Sequence, residues 1–192
     1  MRCAAFSASA LLSTLLVTGL AADAHAQARS NAQPRGAAQA SAASPGGGQA
    51  VGAYGDWAVY VAKTGRSKVC YALAHPKARL PKGLNRDPGY LFVSARPAEG
   101  VRNEIAWVLG FNAKPNQDGE VVIDGASQPV VTRGSGAWLK DPSQEGQTVA
   151  AMARGSRLVI KVQSQRGNNT SDEYSLKGFT QAMERVRKEC AS

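Results

Sequence analysis

Beyond residue 26 the sequence holds one histidine, His75, and two cysteines, Cys70 and Cys190. Few catalytic chemistries can be built from so small a set. A Ser-His-Asp relay would have to run through His75, yet Pro76 follows it inside a basic stretch. Gly134-Ser135-Gly136 lacks the spacing of a nucleophile elbow. A zinc site needs three or four His, Cys or carboxylate ligands, and one histidine with two cysteines 120 positions apart cannot supply them. Asp118-Gly119-Glu120 and Asp124-Gly125 lack the EF-hand spacing and read as turns. There is neither a Walker loop nor a dinucleotide fingerprint. The expectation is therefore no metal, no cofactor and no nucleophile. One enzymatic reading stays open, a hydrolase working through a carboxylate pair drawn from Asp56, Glu104, Glu120, Asp124, Asp172 and Glu173. Asp56, beside Trp57 at the head of a strand, suits a turn or a cap better.

The densest polar cluster is basic: Lys77, Arg79, Lys82 and Arg86 against Asp87 alone. Pro76, Pro81 and Pro88 limit its collapse, so the cations should stay displayed as an anion-binding surface; otherwise the stretch is a solvated connector. The 192-residue chain carries a net charge of +9, and removing residues 1–26 takes away Arg2 and Asp23 and leaves that charge unchanged. Such a balance favours anionic surfaces. Export turns the expectation away from nucleic acid and toward an anionic lipid or glycan of the envelope or host.

Arg2, the apolar run over residues 8–20 and Ala24-His25-Ala26 make residues 1–26 a signal peptide cut after Ala26. Cys3 precedes the apolar run and cannot be a lipidated cysteine. The product is expected in the periplasm or associated with the outer membrane, with no transmembrane segment after cleavage. In that oxidising compartment Cys70 and Cys190 read as one disulfide. Closing so long a loop stabilises the fold by about 4–5 kcal/mol in the chain-entropy account. Residues 27–52, rich in Ala, Gln, Ser, Gly and Pro, read as a disordered tether, and residues 53–192 as a single domain.

The elements that must position these residues are mostly strands. Apolar alternation marks residues 57–61, 69–73, 90–94 and 105–111, then 120–124, 128–132, 137–139, 158–162 and 174–176. Ile105, Trp107, Leu109 and Phe111 share one face, with Ala106 and Val108 on the other, as in a central strand. Asp141-Pro142-Ser143-Gln144 opens a short helix that Gly155 ends. Phe179, Ala182, Met183, Val186 and Cys190 form one stripe of a terminal amphipathic helix that carries Cys190 toward Cys70. Many short strands between turn signals favour a β-sandwich or barrel with helices appended.

Gly55-Asp56-Trp57 at the start, Ser175-Leu176-Lys177-Gly178-Phe179 near the end and the terminal Cys190 together resemble the invasion-associated locus B family of alphaproteobacterial envelope proteins. Arg86-Asp87-Pro88, Ser94-Ala95-Arg96-Pro97 and Gly136-Ala137-Trp138 extend the similarity across residues 54–190. The resemblance implies an immunoglobulin-like β-sandwich, a periplasmic or outer-surface location and a name drawn from host-cell entry. It brings no catalytic residues. Val61 stands where many members of the family carry a cysteine.

Overall fold

The expected alternation builds an all-antiparallel sheet in the computed structural model, which describes residues 46–65 and 67–191. The expected signal peptide and most of the expected tether lie outside the described residues. The strands are β1 (Gln49–Tyr54), β2 (Trp57–Thr64), β3 (Ser67–Ala74), β4 (Ala78–Leu80), β5 (Tyr90–Arg96) and β6 (Val101–Val108). They continue with β7 (Gly119–Ile123), β8 (Ala126–Arg133), β9 (Gly136–Leu139), β10 (Arg157–Gln163) and β11 (Asn169–Ser175). Two helices, α1 (Glu145–Arg154) and α2 (Phe179–Cys190), complete the fold. The order across the sheet is β1-β2-β3-β5-β6-β9-β8-β7-β10-β11-β4.

Register decides which residues share the core. Trp57, Ala74, Leu91, Trp107 and Ala137 stand opposite one another across five strands, and Val59, Ala72, Val93 and Ile105 form the parallel row. All nine are buried. On the other half of the sheet Ile123, Leu158 and Tyr174 form a matching buried row. Because side chains alternate with period two, the whole sheet has one apolar face. The two halves fold over to share a single core, which gives the mainly β, sandwich-like architecture expected from the sequence. Helix α2 lays Phe179, Ala182, Met183 and Val186 on that core. The Cys70–Cys190 disulfide, with Cα atoms 6.0 Å apart, ties its last turn to β3.

Four local readings need correction. β1 begins at Gln49, inside the stretch expected as tether; the Gly48 N–H donates to the Tyr71 hydroxyl, an approach that a Cβ on Gly48 would obstruct. β4 lies within the basic stretch that was expected to carry no element. Phe111 is not on a strand, because β6 ends at Val108 and Gly110 turns the chain at φ +71°. The helix after Asp141 opens as a 3-10 turn, Pro142–Gln144, with Asp141 accepting from the Ser143 N–H, before α1 starts at Glu145.

Candidate functional site

β4 pairs with the middle of β11 so that Arg79 stands directly opposite Asp172, both on the buried face. A carboxylate there is costly unless paired. Arg79 donates from Nε to Asp172 Oδ2 at 2.9 Å, and the loop after β4 returns to bring Arg86, whose Nη1 donates to Oδ1 at 3.0 Å. The Asp172 side chain is 3% exposed and that of Arg86 7%. Burial pushes the Asp172 carboxyl up from its ordinary value, against the pull of Arg79 and then Arg86. Arg79 also donates to the carbonyls of Asp87 and Leu109, and the Asp87 N–H donates to Gly110 O. One guanidinium thus joins the β4 edge, the loop before β5 and the exit of β6.

Of these residues Arg86 and Asp87 line a polar cleft of about 380 Å³, and Arg79 and Asp172 hold them from outside its lining. Its walls are the loop at residues 84–87, the turn at residues 110–112 and the hairpin at residues 164–168. The hairpin is held by its backbone: the Ser164 N–H donates to Asn168 O, the Gly167 N–H to Ser164 O and the Gln165 N–H to Asn112 O. Ser164 Oγ also accepts the Asn168 N–H, but the other side chains are not held in this way. Asn85, Asn112, Gln165, Asn168 and Arg166 make no side-chain hydrogen bond or ion pair within the described protein, and all five line the cleft beside Phe111. Arg86 uses Nη1 and Nη2, the latter on Pro81 O, and its Nε–H has no protein acceptor. Arg86 and Arg166 against the one carboxylate of Asp87 leave the lining positive. Amides held by a rigid backbone add donors and acceptors in fixed places. Such a site can bind a polar, anionic ligand.

The basic stretch therefore does not display its four cations, as the sequence reading expected. Lys77 pairs with Asp56, Arg79 and Arg86 are turned inward by Asp172, and Lys82 alone stays exposed without a partner. The physical reason is β4: pairing with β11 points Arg79 at the core side, where only a carboxylate can receive it.

The motif residues converge elsewhere, at the seam where β2 meets the end of β11. The Asp56 N–H donates to Lys177 O, the Trp57 Nε1–H to Ser175 O at 3.0 Å, and the Trp57 and Phe179 rings lie 4.8 Å apart. Leu176 is buried beside them. Gly55 and Gly178 both have positive φ; a Cβ on Gly178 would run into Tyr54 O, and one on Gly55 would lie 2.5 Å from Lys177 O. Hydrogen bonds from Lys77 and Ser175 hold the Asp56 carboxyl below its ordinary value. The Asp56 carboxylate, the Trp57 indole N–H and the Ser175 hydroxyl all have partners inside the protein.

The remaining candidate carboxylates are likewise engaged. Glu120 binds Lys161 and Ser127, Asp124 binds Ser156 and the Arg157 N–H, and Glu173 pairs with Arg157. Glu104 is held low by Arg96. Glu145, which the sequence reading missed, accepts the Ile105 N–H at 3.4 Å where β6 has lost its neighbour, and burial pushes its carboxyl up. Among the described residues no group of three His, Cys, Asp or Glu could hold a metal ion, and no helix is long and apolar enough to cross a membrane. The cleft amides were also missed, because Asn112 and residues 167–169 carry only the signal of turns.

Residues 57–187 match the family described as Invasion associated locus B (IalB) protein. Among solved structures the chain is similar to the crystal structure of invasion associated protein B from Bartonella henselae, with a TM-score of 0.54 and 15% identity over 73% of this chain and 96% of that one. At that identity the likeness concerns the fold. No curated protein matches.

Proposed function

The chain belongs to the invasion associated locus B family, and on that premise we propose that it is a non-enzymatic, exported envelope protein that binds an acidic glycan in the cleft above Arg86. The signal-peptide pattern of residues 1–26 supports export to the periplasm or outer surface. The observation that carries the binding reading is the lining of the cleft, where Arg86 and Arg166 outnumber Asp87 and unpartnered amides stand beside them. Arginine forks fit carboxylate or sulfate groups in two-point contact, and amides fit sugar hydroxyls. The small apolar area of the walls favours a glycan of the envelope or host over a lipid tail.

Titration of the mature protein with tetragalacturonate tests this. Binding should weaken as salt rises, and Asn112→Ala combined with Arg166→Gln should reduce affinity about 10-fold, the scale of one charged hydrogen bond. Equal affinity in parent and variant would refute the site. The rival hydrolase reading has one observation in its favour. Glu104 and Glu145 line a single open cleft of about 540 Å³ with Trp138, one carboxyl held down and the other pushed up, as in an acid–base pair. On the present reading Glu145 is a backbone cap, and the oligosaccharide is recovered at full length after incubation. New reducing ends that disappear in Glu145→Gln would establish the hydrolase instead.

A further inference from the structure

At the other end of β6, roughly 24 Å from the cleft by strand geometry, an open groove of about 740 Å³ runs between α1, α2 and the start of β6. A surface helix normally turns polar residues to water. Helix α1 buries Val149 and Met152 yet gives its outer, groove-facing positions to Gly146, Ala150 and Ala153, all exposed. A Cβ on Gly146 would meet nothing within 4 Å, so the groove is open there. Pro97 and Val101 continue the apolar wall.

Two cations stand in this apolar setting, Arg102 from β6 and Arg187 from α2. Neither has an ion-pair or hydrogen-bond partner among the described residues, whereas the neighbouring Arg96 is bound to Glu99 and Glu104, and Arg185 to Glu189. The volume falls within the range of about 300–1,000 Å³ typical of small-molecule sites. Apolar walls call for a hydrocarbon, and two uncompensated guanidiniums for an anion on its end. We infer that the groove binds a long-chain fatty acid, its chain along Val149, Ala150 and Ala153 and its carboxylate on Arg102 and Arg187. This site is separate from the glycan cleft, and either can fail without the other.

Displacement of a fluorescent fatty acid from the mature protein, with palmitate and hexadecanol as competitors below their self-association limits, tests the inference. Palmitate should compete in the parent. Arg102→Gln with Arg187→Gln should weaken palmitate about 10-fold or more and leave hexadecanol unchanged, while Ala150→Trp should block both, each variant melting like the parent. Palmitate affinity unchanged in both variants would overturn the inference. So would a parent dimer that takes up no palmitate and that Ala150→Trp makes monomeric, because the groove would then be covered by a second copy.

Discussion

The seam around Trp57 and the cleft above Arg86 are both rich in polar groups, and they dispose of them in opposite ways. At the seam, the side chains of Asp56, Trp57 and Ser175 are satisfied by Lys77 and by the backbone of Ser175 and Lys177, and Gly55 and Gly178 let two backbones touch. In the cleft the backbone of the hairpin is held by hydrogen bonds, but four amides and Arg166 are left without partners. A buried polar network with every member satisfied fixes structure. Polar side chains left unsatisfied on a rigid frame are available to a ligand. The segments that identify the family are thus architectural, and the binding groups lie in loops that carry no motif.

Substitutions can break this comparison, and the largest effect should come from the seam. Gly178→Val combines a β-branched side chain at φ +91° with a collision at Tyr54 O, and should yield no stable protein by thermal melting. Melting like the parent would show that the seam is not what holds the sheet closed. Next comes the buried ion cluster behind the cleft, of which Arg86 alone reaches the lining. Asp172→Ala strands two guanidiniums and should cost about 3–5 kcal/mol in denaturant unfolding, whereas Lys82→Gln should stay within about 0.5 kcal/mol. Cys70→Ala with Cys190→Ala frees the last turn of α2 from β3 and should cost about 2–5 kcal/mol. The smallest effect is one of pH. Because the folded Asp56 carboxyl titrates below the ordinary 3.8, its contribution is complete above that value and lost as pH falls below it. The parent's melting temperature should therefore drop more steeply below pH 3.8 than that of Asp56→Asn; identical slopes would remove Asp56 from the seam's stability.

Much of the fold was legible in the sequence because burial on one face forces a period of two. Trp57, Val59, Ile105, Trp107, Leu158 and Ile160 announce their strands in this way, and the stripe ending at Cys190 announces α2. β4 was hidden because its three residues, Ala78–Leu80, are too few to show a period and its one inward position is Arg79. β1 was hidden because Gly, Ala and Gln carry little apolar signal. The site failed to show for a related reason. A cation in a proline-rich loop looks displayed unless the carboxylate that receives it is known, and Asp172 lies 93 residues after Arg79. Asn85, Asn112 and Asn168 look like turn residues, and only the fold places them around one space.

The most direct test of the account is amide chemical-shift mapping of the isotope-labelled mature protein titrated with tetragalacturonate. The account predicts shifts concentrated at residues 84–87, 110–112 and 164–168, with residues 54–57 and 175–179 and the exposed Lys82 unmoved. Shifts centred on Lys82 or on the α1–α2 groove, or none at a concentration where binding is detected, would contradict it.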